Sequence, residues 1–316
     1  MVMRLIFMGT PQFAVPSLEK LLGSSHRIVA VFAQPDRPAG RGERMAVPPV
    51  KVLALQHGIQ LHQPERLKED TWQTTFRQIH ADACVVVAFG KILPRWLLEI
   101  LPLGAFNLHA SLLPKYRGAA PIQWAIANGE SETGVTTMRL EEGMDTGDVL
   151  LQQKVLIAPH ETAVELQRRL ARLGADLLLE TINLLESGKL QPVRQDPALA
   201  TYAPLLRKED GLIRWEQMTA DEVYNRIRAF NPWPGTYTLI NGQVLRIWKA
   251  IPQEASIGLL VSGTLVHHTL EGPSVACSRG FLRLIEVQLE NRKRISATDM
   301  LNGLRIPKNQ PVFLGT

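Results

Sequence analysis

Only two cysteines, Cys84 and Cys277, occur in the 316 residues. They stand far apart, Cys84 lies inside an apolar run, and no C-x-x-C or H-E-x-x-H spacing exists. A disulfide framework and a zinc centre are therefore not expected, and a reduced cytoplasmic setting is the default. The G-x-G-x-x-G turn of dinucleotide sites and the lysine of a phosphate-binding P-loop are missing too, which counts against nicotinamide cofactors and nucleoside triphosphates. No G-x-S-x-G elbow marks a serine hydrolase. No apolar segment approaches the roughly 18 residues of a membrane span. The opening "MVMRLIFMGTPQFA" carries an apolar run of strand length that ends in Gly-Thr-Pro, unlike a signal peptide.

What is present reads as a packed globular protein, with 45% hydrophobic and 21% charged residues. A chain of this length holds one large or two medium domains. Its net charge is +5, and from Leu206 onward 14 Lys/Arg face 10 Asp/Glu, so nearly all the excess lies in the last third. A polyanionic partner docking there would explain the bias, and so would a basic solubilising surface.

The first half alternates strand-like and helix-like segments. "RLIFMGT" and "RIVAVFAQ" flank the helical "PSLEKLLGSS", a β–α–β arrangement. "QPDRPAGRGERMAVPPV" breaks the periodicity. "VKVLALQHG" and "TWQTTFRQIHA" read as helices, and "ACVVVAFG" reads as a buried strand. This alternation predicts a parallel sheet covered by helices. The amphipathic "ETAVELQRRLARLGADLLLETINLLESG" closes residues 1–188, with Gly188 as its stop. Polar, proline-rich residues 189–208 read as a linker. In residues 209–316 Thr219 caps the helix "TADEVYNRIRAF", and short strands follow, with Asn241-Gly242 as a hairpin turn. A small OB-like barrel suits that spacing.

One stretch carries the chemistry, "AFNLHASLLPKYRGAAPIQWAI" (105–126). If its start is a strand, Asn107 and His109 project to the same side. A buried histidine beside a turn-capping asparagine is the plain alternative. The loop "LEEGMDTGDVL" adds Asp145 and Asp148, which could equally form an Asx-turn pair. Converging at the C-terminal ends of parallel strands, Asn, His and Asp would suit acyl transfer to a nucleophile supplied by the substrate. Asn107 and His109 would be the donors to a developing oxyanion, and Asp145 would orient His109 and help move protons.

These motifs resemble those of the methionyl-tRNA formyltransferase family along essentially the whole chain. The match rests on "GTPQFAVPSLEKLL", "QPDRPAGRG", "VVVAFGKILP", "NLHASLLPKYRGAAPIQWAI", "GMDTGD", "RIRAFNPWPGTY" and "VLRIWKA". The resemblance implies a doubly wound, Rossmann-like α/β domain followed by an OB-like barrel. It also implies 10-formyltetrahydrofolate as formyl donor, initiator methionyl-tRNA as acceptor and no metal. A monomer is the separate expectation for the chain, which carries no sequence signal for assembly. Carried over by position, Asn107, His109 and Asp145 form the catalytic trio, and Ser111, Leu112, Leu113 and Pro114 contact the folate. Arg41 falls in the basic loop expected to approach the tRNA acceptor end. The charge distribution, rather than the resemblance, adds Arg44 and the last-third Lys249, Arg292, Lys293 and Arg294 as phosphate contacts. Lys115 stands where many relatives would carry Arg, keeping the charge but not the forked hydrogen bonding. Two other readings stay open: formyl transfer to a small amine such as an amino sugar, and a catalytically silent RNA-binding protein.

Overall fold

A computed structural model describes residues 2–39, 44–67, 70–254, 260–268, 272–303 and 312–315. In chain order the first elements are β1 (Arg4–Gly9), α1 (Val15–Leu22), β2 (Arg27–Phe32), β3 (Arg37–Ala39), β4 (Arg44–Ala46) and α2 (Pro49–Gln56). Next come β5 (Leu61–His62), α3 (Asp70–Ile79), β6 (Ala83–Val87), α4 (Arg95–Ile100), β7 (Ala105–His109), β8 (Arg117–Gly118) and α5 (Pro121–Ala127). The middle continues with β9 (Glu132–Arg139), β10 (Val149–Leu156), α6 (Ala163–Glu186) and β11 (Tyr202–Ala203). The last third holds α7 (Ala220–Phe230), β12 (Thr236–Ile240), β13 (Gln243–Gln253), β14 (Thr264–His268) and β15 (Gly272–Ala276). It ends with β16 (Phe281–Leu289), β17 (Ile295–Ser296), α8 (Ala297–Gly303) and β18 (Val312–Gly315).

The chain divides into two units. The first comprises residues 1–121, 132–156 and 164–203, and the second comprises 122–131, 157–163 and 204–316.

In the first unit a seven-stranded sheet runs β10-β9-β7-β6-β1-β2-β5. Five strands, β5 through β7, are parallel, and β9 and β10 join antiparallel at one edge. The chain steps outward from β1 to β2 and β5, then returns to β6 on the other side of β1. In open sheets of this kind ligands bind at the C-terminal ends of the strands that flank such a reversal, here β1 and β6. The central strands are apolar on both faces because helices cover both, and every residue of β6 is buried. α6 presents Leu166, Leu170, Leu177, Leu178 and Ile182, each no more than 5% exposed, as one stripe. Burying each such side chain contributes about 1.5–3 kcal/mol, far more than helix propensity does.

Residues 189–203, beyond α6, make backbone pairs with the same unit. Val193 exchanges two 2.8 Å backbone hydrogen bonds with Val149, and β11 pairs in parallel with β8.

In the second unit, β12, β13, β16, β15, β14 and β18 close into an antiparallel barrel through the β13–β16 pairing. This is one strand more than the five of an OB barrel. Its core includes Trp215, Val223, Ile227, Leu245, Ile247, Val275, Leu282 and Val287. The indole of Trp215 donates to Thr238 Oγ1 at 2.9 Å, so the buried ring keeps no idle donor. Asn241 and Gly242 turn β12 into β13 with φ of 50° and 75°, the geometry for which an Asn-Gly pair is favoured. At the start of α7, Thr219 Oγ1 accepts from the Glu222 N–H while the Glu222 carboxylate accepts from the Thr219 N–H, a reciprocal capping box.

Candidate active site

β7 delivers Asn107 and His109 to one side, with Leu108 turned to the other. Asn107 lies opposite Val86 of β6 and Met138 of β9, and His109 ends the strand, so both sit one strand from the sheet's reversal point. His109 is 6% exposed, and its Nε2 lies 2.9 Å from the carbonyl oxygen of Tyr116. A carbonyl only accepts, so Nε2 carries the proton. The other nitrogen, Nδ1, faces the Asp145 carboxylate at 3.7 Å, a contact that attracts when the ring is protonated. Both ring nitrogens therefore meet acceptors. Among the described residues no hydrogen bond engages the Asn107 carboxamide, which leaves it available as a donor. Of the two acids in the loop, Asp145 is the one that reaches His109; Asp148 uses its backbone oxygen to accept from the Arg139 N–H.

The Asp145 loop is tightly specified. Asp145 has φ of 52°, a left-handed conformation that Asp tolerates better than most side chains. Its Oδ2 accepts from the Gly118 N–H at 2.8 Å. A Cβ on Gly147 would lie 2.0 Å from the Arg139 carbonyl oxygen, so only glycine fits there. Gly118 has φ of 122°, and a Cβ on it would meet the Ala203 oxygen at 2.6 Å. β8 can thus lie against β11 only without a side chain.

Sequence reading gave no role to two further residues beside this loop. Gln195, 6% exposed, donates through Nε2 to the carbonyl oxygens of Asp145 (2.9 Å) and Gly147 (2.7 Å). Its Oε1 accepts from Nε (3.2 Å) and one terminal nitrogen (2.7 Å) of Arg117, itself 5% exposed. Arg117 lies inside the recognised "KYRGAAPI" run, whereas nothing in the local pattern around Gln195 marks it out.

The Ser111–Pro114 turn is held from within. Ser111 Oγ donates to the Lys115 carbonyl (2.6 Å), and Thr136 Oγ1 donates to the Ser111 carbonyl (2.6 Å). The Leu113 N–H reaches Thr136 Oγ1 at 3.2 Å, and Gln152 Nε2 reaches the Leu113 carbonyl at 2.8 Å. Ser111 and Leu113 are buried, which leaves Leu112 and Pro114 as the half-exposed members. Among the described residues, no group of three or more His, Cys, Asp or Glu is arranged to hold a metal ion.

Of the basic residues, Arg41 and the side chain of Arg44 lie outside the described residues. In the second unit Lys249, Arg292, Lys293 and Arg294 are exposed. Lys249 of β13 lies opposite Glu286 of β16. Arg294 Nε sits 3.4 Å from the Glu286 carboxylate, and its guanidinium stacks 3.8 Å from the Trp248 ring centroid.

Residues 3–182 match the family Formyl transferase, and residues 205–305 match Formyl transferase, C-terminal domain. Methionyl-tRNA formyltransferase from Solibacter usitatus is 50% identical over 313 residues, covering 99% of each chain. The chain belongs to the methionyl-tRNA formyltransferase family. Methionyl-tRNA formyltransferase from Geobacter metallireducens is 47% identical over 303 residues, with 96% of each chain covered. Among solved structures, an N-formyltransferase from Helicobacter canadensis in complex with folinic acid and dTDP-3-aminofucose superposes with a TM-score of 0.65 at 22% identity. That alignment covers 93% of this chain and all of the other, and it shows a shared fold. Among the described residues, no helix of this family member is long and apolar enough to cross a membrane.

Proposed function

We propose that this protein transfers the formyl group of 10-formyltetrahydrofolate to the α-amine of initiator methionyl-tRNA, with Asn107, His109 and Asp145 as the reacting set. The observation that carries the formyl-transfer reading is the Asn107–His109–Asp145 arrangement near the sheet's reversal point, within a chain half identical to a methionyl-tRNA formyltransferase. The folate supplies a formyl group on nitrogen. The bond from that nitrogen to the formyl carbon breaks, a bond to the methionyl nitrogen forms, and the amine's proton passes to the folate nitrogen.

The Asn107 carboxamide donates to the formyl oxygen as negative charge develops there, a contribution of about 3–4 kcal/mol for one well-placed donor. His109, fixed through Nε2 by the Tyr116 carbonyl, presents Nδ1 beside Asp145. A proton held on Nδ1 is offset by the carboxylate, so the pair can carry it without a net charge building up at the site. Direct donation from His109 to the formyl oxygen requires Nδ1 to turn part-way from Asp145 toward it. The half-exposed Leu112 and Pro114 offer the folate apolar contact. Arg41, Arg44, Lys249, Arg292, Lys293 and Arg294 neutralise tRNA phosphates.

The test is formyl transfer by the purified full chain from 10-formyltetrahydrofolate. It offers initiator methionyl-tRNA, an elongator methionyl-tRNA and a nucleotide-linked amino sugar as acceptors. Preference for the initiator supports the reading. Preference for the amino sugar would replace it, and absence of turnover with every acceptor would leave only RNA binding. For the tRNA residues, binding is measured against ionic strength for the triple variant Lys249→Ala, Arg292→Ala, Lys293→Ala. A slope reduced by roughly 2–3 is expected, since each neutralised phosphate contributes about 0.7–0.9. An unchanged slope would make that surface merely solvated.

A further inference from the structure

We propose that Arg117 and Gln195 form a positioning clamp that holds the Asp145 loop in its reactive pose. The inference rests on the reading of Asp145 as a catalytic residue given above. Neither clamp residue touches the reacting atoms; each acts through the loop backbone.

A buried guanidinium is costly unless its donors meet acceptors. Arg117 directs two donors to one oxygen, Gln195 Oε1. That fixes which way the amide faces, because Oε1 cannot turn away without abandoning the guanidinium. Nε2 is then committed to the opposite direction. There it meets the carbonyls of Asp145 and Gly147, so one amide group grips the backbone on both sides of Thr146. The next residue after Arg117, Gly118, donates its N–H to the Asp145 carboxylate. Backbone and side chain of Asp145 are thus set from one short strand and one glutamine.

Gln195 itself sits on a tether fixed at both ends. Val193 pairs with Val149 just after the loop, and β11 pairs with β8, which contains Arg117. A shift of the tether would move the Asp145 carbonyl, and with it the 3.7 Å approach to His109. Geometry of this kind governs the chemical step more than it governs substrate affinity.

The decisive variant is Gln195→Glu. It keeps an oxygen for Arg117 and replaces the two N–H donors with an oxygen that repels the loop carbonyls. Using the full chain, the formyl donor and methionyl-tRNA, the expected kcat loss is at least about tenfold, with both KM values within about twofold. The melting temperature stays within a few degrees. In an Asp145→Asn background the same change costs less than about threefold, because the clamp acts through Asp145.

If Asp145→Asn is severely impaired while Gln195→Glu stays within threefold of wild type, the clamp is wrong and the catalytic reading stands. If Asp145→Asn itself is nearly fully active, the catalytic reading falls and takes the clamp with it. Equal losses from Gln195→Glu in both backgrounds also overturn the clamp. Should Gln195→Glu not fold, Arg117→Lys, which keeps the charge and loses the fork, is read in the same cycle with an expected kcat loss of about fivefold. Losses below about twofold there would overturn the proposal as well.

Discussion

Asp145→Asn isolates a single charge. The amide keeps the side chain's length, still accepts from the Gly118 N–H at the 2.8 Å position, and suits the positive φ of 52° at least as well as Asp. What disappears is a unit negative charge 3.7 Å from His109 Nδ1. Coulomb's law gives about 4.5 kcal/mol for an ion pair at that distance with an effective dielectric near 20, and about 1 kcal/mol in bulk water. Asp145 is 15% exposed and His109 6%, so the real value lies between these limits. At about 1.4 kcal/mol per tenfold, the chemical step should slow by between roughly 6- and 2000-fold, with a central expectation near 100-fold.

Stability should change little by comparison. Replacing a charged acceptor by a neutral one in the Gly118 bond costs about 1 kcal/mol, or some 2–4 °C in a chain of this size. The assay is single-turnover formyl transfer with enzyme in excess and both substrates saturating, alongside thermal melts. Asp148→Asn is the control, since Asp148 contributes its backbone to Arg139 rather than its carboxylate to His109. A rate for Asp145→Asn within about threefold of wild type would refute the reasoning, as would a larger loss for Asp148→Asn at equal stability.

Asn107→Ala should lower the single-turnover rate by about 10²- to 10³-fold, the usual effect of losing one oxyanion donor. Folate affinity in equilibrium titration should be nearly unchanged. Gly147→Ala would place a Cβ 2.0 Å from the Arg139 oxygen, so the loop must shift by about 1 Å or more, with kcat falling at least tenfold in steady-state assays. His62 stacks on Phe32 with ring centroids 4.7 Å apart, and burial holds its pKa below the ordinary 6.5. The neutral ring is therefore the stabilising form, its contribution complete above about pH 6.5 and lost as pH falls through the lower folded value. His62→Phe should flatten the fall of the melting temperature as pH drops below about 6.5, as followed by thermal denaturation; an unchanged slope would remove His62 as the cause.

The parts of this structure legible in the sequence are those set by local rules. Period-two alternation put Asn107 and His109 on one side of a strand, and the residues of β7 do alternate so. Asn241-Gly242 and the Thr219 N-cap are short-range signals, and both occur where the sequence places them. The direction of β9 and β10 was not legible. A run such as "VLLQQKVLI" has the same pattern whether it pairs parallel or antiparallel; the short connection between β9 and β10 suits their antiparallel pairing, and no local pattern marks the antiparallel pairing of β9 with β7. The sixth barrel strand was hidden for a related reason, since β18 lies after α8 and joins β12 and β14 far from its own sequence neighbours.

Gln195 shows why the finest part of the site escapes a pattern-based reading. It lies among proline and charged residues, a composition that reads as solvated linker. Its role in the structure rests on hydrogen bonds to Arg117, 78 residues away, and to two backbone carbonyls about 50 residues away. Such contacts have no period, and a lone glutamine between Arg194 and Asp196 carries no apolar stripe. The trio, by contrast, needs chemically distinctive residues at short spacing, so the sequence advertises it. Residue types and spacing reveal which groups can react. How accurately those groups are held depends on long-range polar contacts between buried donors and acceptors, and here these converge on the single backbone segment from Asp145 to Gly147.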